Sequence, residues 1–327
     1  MITFEPLSAR SDPEWESLVD RSPDALLFHR LSFLAYHPPD RFREHRWKAR
    51  KNGELIAAIS LAEFPAGPSS DGNSGMELRS PYGGSFGGFV SVESLTSAEH
   101  ELLVAGAKEL ARDAGARAMR ITVPPSPYRS RGDHTEFALF AQGARVSAQE
   151  ITHVVSLQGT EDEVWSRIHG AGRRGARKAE RLGTTVRAGN VQDLDEFHRL
   201  IAENIAAKGR KPTHSLDELH ELFRRFPESM ILHVAENEGR LVGGILIFRC
   251  NARIALSFYT ARGEGSEANR CMDLLSERAI LDSMERGFDG LDLGTTTIGG
   301  VMNPGLEVFK EGLGGIPFVR RTWSIEL

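Results

Sequence analysis

One lysine stands in a setting that recurs elsewhere in the chain without it. Phe309-Lys310-Glu311-Gly312 lines up with Phe140-Ala141-Gln142-Gly143, which sets Ala141 opposite Lys310. The shared Phe and Gly read as structural, and the ammonium reads as a property of one copy only. Such a group can stabilise a developing oxyanion or hold a phosphate; the plainer reading is an exposed lysine on a short helix. Tyr259, at the end of a predicted strand, could protonate a leaving oxygen or orient an amine, or could be a half-buried structural tyrosine. Asp292, in an apolar strand, could accept a proton or pair with a cation, a structural ion pair being the simpler role. The sequence offers no convincing Ser-His-Asp or Cys-His arrangement and no nucleophile elbow, so chemistry without a covalent enzyme intermediate fits it. Cys250 and Cys271 have no metal-ligand spacing and no His-rich cluster beside them, so no metal is expected; both read as small buried residues.

Positive charge gathers in one stretch. Residues 161–182 read as a long helix, with Thr160 and Glu163 as a capping box and Gly183 as the stop. Val164, Ile168, Ala171, Ala179 and Leu182 form its apolar stripe. Arg167, Arg173, Arg174, Arg177, Lys178 and Arg181 lie beside that stripe, against Glu180 as the one acid among them. Two readings stand, a solvated face and a phosphate-binding patch. Gly170, Gly172 and Gly175 mark either close approach by a neighbour or a break in the helix. Lys208, Arg210 and Lys211 make a second, smaller basic cluster at a helix end.

These residues sit in a repeated frame. Residues 48–59 and 234–245 each read as a strand, a Gly-containing tight turn and an apolar strand. The helix ending at Gly115 leads into a strand at Met119–Ile121, as the helix ending at Gly287 leads into Leu291–Leu293. Each copy then closes with a strand, His153–Leu157 in one and Arg321–Leu327 in the other. The order β-α-α-β-β-β-α-β-α-β predicts an α/β fold of mixed sheets flanked by helices, duplicated in tandem. The expected divisions are a domain over 1–158, a basic inter-domain helix over 159–182 and a second domain over 183–327. Residues 65–75, rich in Pro, Gly and Ser, read as a mobile loop.

Composition bounds the class. The chain has 327 residues, 40% hydrophobic and 26% charged, enough for two domains of ordinary size. A net charge of −5 gives no global pull on nucleic acid or membrane, so an anionic partner needs a local basic patch. No signal peptide is read at the N-terminus and no apolar run is long enough to span a bilayer. Low cysteine use fits a reducing compartment. A cytoplasmic protein is the expectation.

The segment Arg173 to Gly183, the stretch Phe309-Lys-Glu-Gly-Leu-Gly-Gly315 and, more weakly, Tyr259 resemble the Fem peptidyltransferases and their wider relatives, the FemAB-like double-GNAT acyltransferases. The resemblance covers most of the chain in architecture. It implies two tandem GNAT-like domains, with Phe309 and Lys310 in the catalytic region. It further implies transfer of an amino acid from aminoacyl-tRNA to an amine of a peptidoglycan precursor, while other relatives use acyl-CoA. The long helical hairpin of the larger Fem proteins is missing.

The acyl-CoA alternative needs a pyrophosphate cradle of the form Arg/Gln-x-x-Gly-x-Gly/Ala before the helix near Asn269. Arg262 and Gly265 keep two of its positions; Glu264 and Glu267 add negative charge to it. The lead expectation is therefore an aminoacyltransferase that requires no cofactor, with Lys310, Tyr259 and Asp292 catalytic. Phe309, Arg173, Arg174, Arg177, Lys178, Arg181, Lys208 and Lys211 would bind substrate. Two alternatives remain. One is an acyl-CoA-dependent N-acetyltransferase using Arg262 and Gly265. The other is a non-catalytic protein whose inter-domain cleft recognises a nucleotide-sugar or a peptide.

Overall fold

A computed structural model describes residues 1–67, 75–207, 209, 211–264 and 268–327. Most of the loop expected over 65–75, together with Lys208, Arg210, Gly265 and Glu267, lies outside the described residues. The chain forms two compact units, Met1–Glu150 with Val319–Leu327, and Ile151–Phe318. No helix among the described residues is long and apolar enough to cross a membrane.

The first unit runs β1 (Ile2–Pro6), α1 (Pro13–Arg21), α2 (Leu31–Leu34), β2 (Glu44–Lys51), β3 (Glu54–Pro65), β4 (Met76–Ser80), β5 (Phe89–Ser91), α3 (Ser97–Asp113), β6 (Ala118–Thr122), α4 (His134–Ala141) and the first half of β7 (Arg145–Ser156). Its sheet order is β1-β2-β3-β4-β6, completed by the last residues of the chain, with β5 on β3. Asn52 and Gly53 turn β2 into β3 with φ of 52° and 83°, the positive pair that a two-residue hairpin loop requires. Thr96 and Glu99 close a reciprocal capping box on α3. Val104, Ala107 and Ala111 of that helix pack with Trp47, Ile59, Met119 and Ile121.

The second unit runs from the end of β7 through α5 (Glu161–Arg167), α6 (Gly170–Arg181), β8 (Thr185–Ala188), α7 (Leu194–Ala206), α8 (Leu216–Arg225), β9 (Met230–Asn237), β10 (Arg240–Arg249), β11 (Ile254–Arg262), α9 (Cys271–Glu285), β12 (Gly290–Thr295), β13 (Thr297–Ile298), β14 (Val301–Met302) and α10 (Pro304–Gly312) into the start of β15 (Gly315–Glu326). Its sheet order is β7-β12-β11-β10-β9-β8. The β9–β10 turn repeats the first hairpin, with Glu238 and Gly239 at φ of 51° and 72°. Gly115 and Gly287 follow α3 and α9 at φ of 81° and 80°, the left-handed position that ends each helix.

Three expectations change. The helix read over 161–182 is two helices, because Ile168 leaves the helical region at φ −71°, ψ 121° and the His169 N–H donates to the Gly312 carbonyl instead. The last strand, read with the second copy, ends in the first unit, where Trp323 and Ile325 join the core of α3 and β6. The register between the final helices shifts by two residues. Gly143 donates to the Phe140 carbonyl at φ 86°, and Gly314 donates to the Glu311 carbonyl at φ 83°. The helix ends therefore pair Phe140 with Glu311 and Leu139 with Lys310, and Phe140 is 68% exposed rather than structural.

Candidate active site

Two parallel strands of the second unit separate part-way along their length. β11 and β12 pair at Ile254–Gly290, Ala255–Leu291 and Leu256–Asp292, and no further, although β11 continues to Arg262 and β12 to Thr295. Asp292 is the local cause. Its buried carboxylate accepts from the Thr152 hydroxyl and from the Gly294 N–H at 2.8 Å, bending the chain at Gly294, which sits at φ 76°. On β11 the register against β10 slips at Leu246/Ile247 and leaves Phe258 as the extra residue.

The fork opens into a cavity of about 550 Å³, within the usual size range of small-ligand sites. Ile245, Phe258, Met272, Leu291, Leu293, Phe309 and Leu313 supply apolar wall; Asn204, Ser257, Thr260, Arg262, Ser276 and Lys310 supply polar groups.

Lys310 is buried, 6% exposed, which corrects the expectation of a surface lysine. Its ammonium donates to the carbonyls of Gly294 at 2.6 Å and Thr295 at 2.8 Å. An ammonium has three hydrogens, so one remains for the cavity. Burial pushes its pKa down to about 8, against the opposing pull of Asp292. Phe309, read as structural in the repeat comparison, is half-buried and forms part of the cavity wall.

Tyr259 and Asp292, expected beside Lys310, are not among the cavity's lining residues. The Tyr259 hydroxyl meets the His214 backbone N–H at 3.1 Å and the His214 Nδ1 at 2.8 Å, tying β11 to the start of α8. Asp292 acts one step back, by shaping the turn whose carbonyls hold Lys310.

On α6, Gly175, Ala176 and Ala179 form the buried face. A Cβ on Gly175 would lie 2.6 Å from the Asp273 carboxyl carbon, so this glycine permits the close approach of α6 to α9. Arg174, Arg177, Lys178 and Arg181 are exposed and Arg173 half-buried; among the described residues none of the five forms an ion pair within 4.0 Å. Lys211 is exposed as well. None of these six lines the cavity. Arg262 does, at an exposed position.

Sequence reasoning missed Asn204, Ser257, Phe258, Thr260 and Ser276. Their types are ordinary, and only the separation of two strands far apart in sequence brings them together. Gly294 after an apolar strand was the one local signal.

Residues 170–311, which include both arms of the fork and Lys310, match the family described as "Acetyltransferase (GNAT) domain". This stretch of the second unit is similar to GNAT domains. The likeness extends over the whole chain in structure. The crystal structure of FemX aligns with a TM-score of 0.72 at 15% identity, covering 99% of this chain and 97% of that one. A tandem GNAT protein from the clavulanic acid biosynthesis pathway aligns with a TM-score of 0.58 at 17% identity, covering 100% and 98%. L-PGS from Bacillus licheniformis aligns at 0.61 and 14% identity, covering 97% and 92%. No curated protein matches the sequence significantly. The chain thus shares the fold of FemX and of that tandem GNAT protein, and the fork cavity is lined mainly by residues within the GNAT match.

Proposed function

We propose that the protein is an N-acyltransferase. In this reading it moves an aminoacyl group from tRNA onto the amine of a cell-envelope or peptide precursor, with Lys310 as the oxyanion donor. The observation that carries the proposal is a buried ammonium fixed by two carbonyls at the wall of a cavity large enough for an acyl group and an amine. The neutral amine attacks the ester carbon, a C–N bond forms, and the remaining Lys310 N–H stabilises the oxygen as it gains charge. The C–O bond then breaks, and the proton lost by the amine goes to the leaving hydroxyl. Phe309 and Phe258 keep water from the acyl group. The attack needs no acyl-enzyme, because the cavity brings both substrates together.

Two observations favour a tRNA donor over acyl-CoA. The first turn of α9, where a CoA pyrophosphate would seat, already carries the Asp273 carboxylate, and the Asn269 side chain accepts from the Cys271 N–H at 3.1 Å. Asn269 thus takes a backbone N–H that would otherwise face a pyrophosphate, and Asp273 pairs with Arg270 at 2.8 Å, which commits the cation of that turn to a carboxylate. The cations of α6, without ion-pair partners among the described residues, suit a phosphate backbone; Arg173, Arg174, Arg177, Lys178 and Arg181, with Lys211, are its proposed contacts.

The test is binding of charged tRNA and of CoA to the intact protein by calorimetry. Replacing Arg174, Lys178 and Arg181 together with Ala is expected to weaken tRNA binding, most strongly at low salt, where screening is least. Saturable micromolar CoA binding with no tRNA binding would instead establish the acyl-CoA donor.

A further inference from the structure

One cluster in the second unit takes no part in the chemistry above. Glu307 and Glu311 are four residues apart on α10, so both side chains leave the same face of the helix. His153 of β7 faces them, and one ligating atom from each of the three residues lies within 4.8 Å of the others. His153 is fully buried, and its Nε2 has no hydrogen-bond partner among the described residues.

The hydrogen bonds around the ring fix its tautomer. The Thr296 hydroxyl donates its single hydrogen to the Ile151 carbonyl at 3.1 Å. It therefore accepts from His153 Nδ1, 2.9 Å away, and Nδ1 carries the proton. In the neutral ring Nε2 then holds a lone pair and, with Nδ1 engaged by Thr296, is the nitrogen free to ligate beside the two carboxylates. Three electron-pair donors facing one another repel unless a cation lies between them. Outer-partner orientation of a histidine by a hydroxyl, with its other nitrogen free, is the arrangement a metal-ligating imidazole needs.

We propose that His153, Glu307 and Glu311 bind a divalent transition-metal ion that clamps α10 to β7. One imidazole nitrogen with two carboxylate oxygens suits Zn2+ or Mn2+ better than Ca2+, which prefers all-oxygen sites. Rotation of the two glutamates, one half-buried and one exposed, brings their oxygens to metal-ligand distance; water completes the coordination. Because α10 also carries Phe309 and Lys310, the ion would hold that helix in the register that places the ammonium at the cavity. This inference does not depend on the donor or acceptor of the reaction.

The test is zinc titration of the chelator-treated full-length protein by calorimetry and thermal melting, with anomalous diffraction at the zinc edge to locate the ion. One equivalent of Zn2+ is expected to bind and raise the melting temperature. Thr296→Val, which removes the histidine's outer partner together with the hydroxyl's bond to the Ile151 carbonyl, is expected to weaken binding by about 10–100-fold, and E307Q/E311Q by more than that. Should His153→Gln fail to fold, the glutamate pair still decides the matter, since it lies at the surface. No saturable zinc binding would overturn the proposal, as would binding that survives E307Q/E311Q. An imidazole found doubly protonated by 15N NMR at neutral pH, unchanged by zinc, would also overturn it.

Discussion

The two units place a parallel strand pair at corresponding points and finish it differently. In the first, β4 and β6 pair at Glu77–Ala118, Leu78–Met119, Arg79–Arg120 and Ser80–Ile121, to within a residue of either strand's end. In the second, β11 and β12 pair at three positions and then diverge around a cavity of about 550 Å³. The first unit's corresponding helix end carries Leu139, fully buried among Val104, Ala107 and Met119, where the second carries Lys310. A cavity of about 60 Å³ in that unit lies elsewhere, around His29, His100 and Arg129. A shared frame thus makes either a closed core or a fork, and the difference rests on Asp292, which turns the backbone at Gly294, and on the buried ammonium that the turn's carbonyls can satisfy.

The sharpest way to break this comparison is to move the ammonium. Leu139→Lys puts a cation into an apolar core that offers no bent strand to accept its hydrogens. It is expected to cost about 4 kcal/mol, the scale of an uncompensated buried charge, measured by urea denaturation. A variant as stable as wild type would show that the first unit can open a fork of its own.

Acid sharpens the contrast in a different way. His29 of the first unit is buried, and burial lowers its pKa to about 4 from an ordinary value near 6.5. The folded pKa lies below the unfolded one, so the stabilisation is fully present above about pH 6.5 and is lost as the pH falls through about 4. The loss should reach roughly 3 kcal/mol at pH 4. Melting temperatures between pH 7 and 4 should fall less steeply for His29→Gln than for wild type. Equal slopes would remove His29 from the acid response.

The smallest effect concerns what the units share. Gly53 and Gly239 occupy left-handed positions of the two hairpins, and a Cβ at either would meet nothing within 4 Å. The cost of Ala is then backbone strain alone, about 1 kcal/mol at each site. Unequal costs, read by denaturation of the two single variants, would show that the turns are not equivalent.

The sequence made the local devices legible. Thr96 with Glu99, Thr160 with Glu163 and Ser215 with Glu218 all form reciprocal caps, and both hairpins turn where their glycines indicated. These features depend on residues within a few positions of one another. The break after Arg167 was hidden because Ile168 keeps the apolar period while His169 takes its partner from Gly312, far along the chain. The strand Met76–Ser80 was missed beside a Pro/Gly/Ser-rich stretch that dominates the local composition. Lys310 was found for its uniqueness, yet its burial was not legible, since the carbonyls that take its hydrogens belong to a turn shaped by Asp292 and Thr152. The same long-range geometry kept Tyr259 and Asp292 off the cavity wall.

The central proposal is that the fork of the second unit, through Lys310, stabilises the oxyanion of acyl transfer. Its most direct test is single-turnover transfer from charged tRNA to a peptide amine, comparing wild type with Lys310→Met. Methionine fills a similar volume but leaves the Gly294 and Thr295 carbonyls without their donor, so about 1–3 kcal/mol of stability should be lost. The assay is therefore run at a temperature where both proteins are folded by circular dichroism. The expected result is a rate at least about 100-fold lower with tRNA affinity unchanged. A folded Lys310→Met protein that transfers at the wild-type rate would contradict the claim.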